Sequence, residues 1–189
     1  MPRVTSTFEQ LVDLVQERSG GRNPITGEKL ATPKIIDDLN PPASKNAIQD
    51  LERRVGFPLP DDLRQLLSLH DGQNEKGPPA FGLYSFCSIN SMLDRYSVHK
   101  STPGDMRMDQ STDERIQPFY WHPGWLPVGY WEQSEMTVDL APGEKGASGQ
   151  VFILGQAGFA HHFVAPSLND FLQVTMKKLK AAPDFVFDY

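Results

Sequence analysis

Apolar positions along this chain recur first at helical spacing and later in alternation, with turn residues separating the two regimes. Phe8, Leu11, Val12 and Val15 fall on one face of a helix. Ser6 and Glu9 have capping-box spacing at its start, and Gly20-Gly21 stops it. Residues 22–34 are polar with two prolines and read as a linker, so the first helix is expected to pack as an arm on a main domain beginning near Ile35. Ser44 is an N-cap for a helix carrying Ile48, Leu51 and Val55, which Gly56 terminates. Phe57-Pro58-Leu59-Pro60 is a short rigid turn. Asp61 and Asp62 then open a helix with Leu63, Leu66 and Leu67 on its buried face and His70 at its end.

After Gly72 the pattern changes. Phe81, Leu83, Tyr84 and Phe86 are strand-like, and Ile89, Met92 and Leu93 predict a short helix after Ser88 or Asn90. Residues 100–118 are polar and admit either a helix or a loop. Strands are predicted at Trp125–Val128, Met136–Leu140, Gln150–Leu154 and Ala160–Val164, with a turn at Pro142–Gly146. Ser167 caps a closing helix through Leu168, Phe171, Leu172 and Leu179, and the aromatic tail 184–189 is placed as a final strand or as packing on the core. Helices, then strands, then a closing helix predict an α+β fold, divided into an N-terminal helical arm and linker (1–34) and an α+β domain (35–189).

Composition narrows the function classes. With 189 residues, 39% of them hydrophobic, the chain can bury roughly two-thirds of its unfolded surface without a disulfide or metal staple. Its one cysteine, Cys87, cannot form an internal disulfide. No secretory h-region and no apolar run near 20 residues is present, so the expected location is cytoplasmic and no membrane association is expected. A net charge of −6 argues against nucleic acid as a partner. The run Lys177-Lys178-Leu179-Lys180 sits at a helix end, where cations complement the dipole. Acidity suits a partner with a basic surface, such as a nuclease toxin.

Candidate chemistry is sparse. His161 and His162 are adjacent on a strand and point to opposite faces, which suits no shared ion, and no Cys or His pair has zinc-ligand spacing. Cys87 lies in an apolar segment that disfavours a thiolate. Neither a nucleophile elbow nor a phosphate-cradling glycine loop occurs. Glu135 and Asp139 lie on one strand face roughly 13 Å apart, too wide for paired acid–base work. No catalytic residue, cofactor or metal is therefore expected, and the chain reads as a binding protein and not an enzyme.

Three blocks, in order, resemble the SUKH superfamily of Smi/Knr-like proteins: "IQDLERRVGFPLPDDLRQLLSLHDG" (48–72), "WLPVGYWEQSEMTVDLAPGEKGASGQVF" (125–152) and "VAPSLNDFL" (164–172). The resemblance covers roughly residues 35–180. One departure is Tyr130-Trp131-Glu132-Gln133-Ser134-Glu135, where many members carry a Gly- or Asp-rich turn. The resemblance implies a mixed, largely antiparallel sheet with helices mainly on one face, and it implies no reaction. Bacterial members are mostly regarded as immunity proteins that neutralise toxins; fungal members are linked to cell-wall synthesis and signalling as scaffolds with long disordered arms. The lack of such arms in this sequence favours the bacterial type. The leading expectation is thus a toxin-binding immunity protein. A regulatory scaffold is the alternative, and a small enzyme or ligand-binding domain with a cleft is the third reading. Tyr120, Trp121, Trp125, Tyr130 and Trp131 cluster within twelve residues, and Trp and Tyr serve as interface anchors. Trp125 is assigned to the core. Trp121, Tyr130 and Trp131 are expected to form a partly exposed anchor patch rimmed by Glu132 and Glu135.

Overall fold

A computed structural model describes residues 3–23, 27–101, 106–108, 113–155 and 160–181. The first helix, α1 (Val4–Ser19), begins two residues before the expected cap. Ser6 lies inside the first turn, where its hydroxyl donates to the Arg3 carbonyl, because burying Val4 extends the apolar stripe by one more turn. Gly20 ends it in the left-handed conformation, its N–H donating to the Gln16 carbonyl. The following linker is fastened back: Gln16 accepts from the Ile35 N–H at 2.8 Å and donates to the Pro33 carbonyl at 3.1 Å.

A single turn, α2 (Ile35–Asp38), leads to α3 (Lys45–Val55) and α4 (Asp61–Leu69). Ser44 caps α3 by accepting from the Ala47 N–H. The turn between α3 and α4 is held by Glu52, which accepts from the Leu59 N–H and from Arg64. Buried Asp38 accepts from Gln73 and from the Lys76 N–H, and Gln73 in turn accepts from the Ala80 and Phe86 N–H groups. This chain of bonds satisfies the backbone of the irregular segment 73–84, which would otherwise be costly to bury. Gly72 is required at its start: its φ is +70°, and a side chain there would run into the backbone of Cys87 and Ser88.

The sheet comprises β1 (Ser85–Phe86), then, after α5 (Ile89–His99), β2 (Trp125–Trp131), β3 (Ser134–Asp139), β4 (Gln150–Leu154) and β5 (His162–Ala165). Strand order is β1-β2-β3-β4-β5, and every pairing is antiparallel. The closing helix α6 (Leu168–Ala181) starts at Ser167, whose hydroxyl accepts from the Asp170 N–H. Ser88 caps α5. Segment 106–108 pairs with 118–120 through an isolated bridge between Arg107 and Phe119, and the expectation for the tail 184–189 lies outside the described residues.

Pairing register assigns two faces. Phe86, Leu126, Met136, Val138, Val151 and Ala165 point to one face. Phe8 of α1 and Phe171 of α6 meet this face through an aromatic cluster in which Phe8–Phe86 centroids are 6.0 Å apart, Phe81–Phe86 4.7 Å and Phe81–Phe171 6.1 Å. Trp125, Tyr130, Glu135, Thr137, Asp139, Gln150 and Phe152 point to the other face. Helix α5 crosses that face, unlike α1 and α6, together with the irregular segment 113–122.

The segment expected as an arm supplies Val4, Phe8, Leu11, Val12 and Val15 to the same buried cluster as the sheet. Phe8→Ala is therefore expected to lower unfolding free energy by about 3–5 kcal/mol, read as a fall in the urea midpoint at unchanged slope. A change below about 1 kcal/mol would show that α1 is only an appended arm.

Candidate protein-docking site at the β2–β3 hairpin

The departure noted in the sequence is a tight hairpin. β2 continues to Trp131 and β3 starts at Ser134, so Trp131 pairs with Ser134 across a two-residue turn, Glu132-Gln133. Glu132 adopts φ +51°, a conformation that favours glycine or asparagine. The only other described non-glycine residue with positive φ is Glu75, whose carboxylate accepts from the Tyr130 hydroxyl.

The five residues expected in one patch are sorted by this geometry. Trp131 is half-buried and Glu132 exposed, and with Gln133, Ser134 and Leu154 they line a concavity of about 320 Å³ at the end of the sheet. Tyr130 is also half-buried but points to the opposite sheet face. There the Arg95 guanidinium lies 3.6 Å above its ring. Burial pushes the Tyr130 phenol upward, and the Glu75 carboxylate pushes it further.

Two of the five are not surface residues. Trp121 is 2% exposed, stacked on His99 at 4.6 Å and edge-on to Tyr96 and Trp125. Its ring fills the space between α5 and the sheet, and the exposed aromatic is its neighbour Tyr120. Glu135 is 7% exposed and forms no rim: its carboxylate accepts from Arg95 at 3.0 Å and is 2.6 Å from His99 Nε2. Burial acts to raise this carboxyl, but the hydrogen bonds and charges of His99 and Arg95 outweigh it and hold it below the ordinary glutamate value. Arg95 and His99 were missed from sequence. Their signal was present: they sit four apart on one helix, while Glu135 shares its strand face with Thr137 and Asp139.

Reactive groups elsewhere are accounted for locally. His161 is buried, its Nδ1 accepting from the Gly155 N–H and its Nε2 donating to the Phe119 carbonyl, which uses both ring nitrogens. Burial lowers its basicity, although the Phe119 bond acts in the other direction. Burial pushes the Cys87 thiol up to about 12, so thiolate chemistry is suppressed. Asp139 is raised to about 6 by burial, partly offset by hydrogen bonds from Gln150 and the Ala141 N–H. Among the described residues no group of three or more His, Cys, Asp and Glu is arranged to hold a metal, and no helix is long and apolar enough to cross a membrane.

These features define an α+β domain built on a five-stranded antiparallel meander, with one accessible tryptophan at a hairpin tip. Residues 42–174 match the family model described as SMI1 / KNR4 family (SUKH-1), and the chain belongs to that family. Curated relatives include a glucan synthesis regulatory protein of Neurospora crassa, 28% identical over 82% of this chain and 36% of its own length. A cell wall biosynthesis/cell cycle regulator of Schizosaccharomyces pombe is 30% identical over 67% of this chain and 29% of its own. A KNR4/SMI1 homolog of Yarrowia lipolytica is 28% identical over 74% of this chain and 27% of its own. The chain thus spans about a third of the length of these relatives. They are fungal, and the names of the first two describe regulators, so they support the regulatory alternative better than the toxin-binding expectation. Because only part of each relative is matched, the lack of long arms does not favour the bacterial type.

Two of the buried carboxylates, Asp139 and Glu135, have opposite pH signatures. Asp139, raised to about 6, binds its proton more tightly folded than unfolded, so its contribution grows as pH falls from 7 towards 4. Glu135, held low, contributes fully above its ordinary value and loses that contribution as pH falls through its folded pKa. Stability is expected to rise by about 1 kcal/mol between pH 7 and 5 on the Asp139 account and to fall below pH 4. Urea titrations should show the rise flattened in Asp139→Asn and the acid fall reduced in Glu135→Gln. Cys87 should resist native alkylation at pH 8 and react on unfolding.

Proposed function

We propose that this chain is a non-catalytic regulatory module that binds protein partners in the cytoplasm and acts in the control of cell-wall glucan synthesis. Family membership together with the wall-regulator names of two relatives carries this reading. The docking surface is the sheet end at the β2–β3 hairpin, where Trp131 and Glu132 are accessible and Tyr130 and Glu75 flank the turn. A half-buried Trp beside a carboxylate suits an interface anchor, because a large rigid ring gains contact area at small entropic cost.

Exchange of the matching segment of the fission-yeast regulator for this chain tests the reading. The graft is expected to restore cell-wall glucan content and resistance to wall-digesting enzyme in cells lacking that regulator. The same graft with Trp131→Ala and Glu132→Lys is expected to accumulate normally and to fail. Full function of the double variant would exclude docking through this end of the sheet.

A further inference from the structure

The molecule seats guanidinium groups on aromatic faces repeatedly. Arg95 lies 3.6 Å above Tyr130 while paired with Glu135, the residue opposite Tyr130 in the hairpin. Arg115 lies 3.4 Å above Phe163 while paired with Asp113. Arg107 lies 5.1 Å above Phe119. In the first two cases a carboxylate holds the head of a cation whose flat face rests on a ring. Trp131 is the next residue along β2 after Tyr130, and tryptophan is the strongest cation–π acceptor. Among the described residues no guanidinium is seated on it.

The concavity beside Trp131 has the parts such a seat needs. The Trp131 ring supplies both a π-face and a flat apolar surface for a methylene stem; Leu154 borders the concavity but is 4% exposed and pairs with Glu135. Glu132 supplies an accessible carboxylate, and the Gln133 amide can accept a further N–H. Glu132 takes part in no ion pair among the described residues. A volume of about 320 Å³ is at the small end of the range for ligand pockets and suits one long side chain. The acidic charge of the whole chain, −6, works in the same direction, although Lys76 beside Glu75 is exposed and offsets part of it locally.

We propose that the Trp131–Glu132–Gln133 concavity receives an arginine or lysine side chain presented by the partner protein. The proposal rests on the reading of this sheet end as the docking surface and adds the chemistry of what enters it.

Trp121 and Trp125 are buried and serve as internal references, so 5-fluorotryptophan labelling with ¹⁹F NMR isolates Trp131. The full chain is titrated with N-acetyl-arginine amide and N-acetyl-lysine amide, and with N-acetyl-citrulline amide as the uncharged isostere of the arginine probe. The Trp131 signal is expected to shift with at least one cationic probe, with a dissociation constant on the order of 1–10 mM, while the other two signals stay fixed. Added salt should weaken the effect. Glu132→Gln should weaken it about fivefold or more. Glu132→Gly is expected to abolish it while leaving thermal stability unchanged or raised, because glycine relieves the positive φ; this separates loss of binding from loss of fold. Failure of both cationic probes to shift Trp131, or an equal shift with the citrulline probe, would overturn the proposal. Should the probes fail while the hairpin variant still disables the graft, the docking reading survives and the cationic ligand class falls. Should the probes bind while the hairpin variant supports full graft function, the seat exists and the docking reading falls.

Discussion

The carboxylate of Glu135 sits between Arg95 and His99 on a largely buried sheet face, and the placement of α5 depends on that contact. A buried carboxylate without partners would cost several kcal/mol. Its two partners are one helical turn apart, so satisfying both oxygens fixes α5 in position and in rotation about its axis. With α5 so placed, His99 lies flat on Trp121, Tyr96 meets the edge of the same ring, and the Tyr96 hydroxyl reaches the Pro123 carbonyl at 2.9 Å. Arg95 is then held over Tyr130. One ion pair therefore organises the helix, the loop before β2 and the hairpin.

The two sheet faces are closed by different physics. On one, the phenylalanines of α1, the 81–86 segment and α6 make a dry aromatic cluster of the kind that hydrophobic burial alone stabilises. On the other, Glu135, Thr137, Asp139 and Gln150 are buried beside Trp125 and Phe152, and most of these polar groups find named partners. This second face holds Tyr130 in an internal cation–π contact. Trp131, one residue on and directed to the other side, has no such cation among the described residues. Alternation along a single strand thus separates an aromatic used for structure from one left at the surface for a partner.

Much of the architecture was legible from local pattern. Ser44, Gly56, Ser88 and Ser167 mark helix ends through hydrogen bonds that depend only on neighbours in sequence, and the β3 strand follows from alternation and β4 from β-propensity. The start of α1 was misplaced because burial of Val4, a tertiary contact, outweighed a capping-box spacing. The aromatic cluster at 120–131 was recognised as important, but its sorting was not: Trp121 went inside and Tyr120 outside.

Sequence by itself determined the class of fold, the order of its elements, the family, and the lack of recognisable catalytic or metal-binding motifs, because periodicity, caps and motif spacing are written in adjacent residues. Tertiary structure alone decided that the N-terminal helix joins the core and that Glu135 is an internal anchor. It also decided that, of the three tryptophans, Trp131 is the accessible one. Those outcomes depend on which residues twenty or more positions apart come together. Arg95 and Glu135 meet only once α5 has folded back across the sheet, and no local signal carries the position of a distant charge.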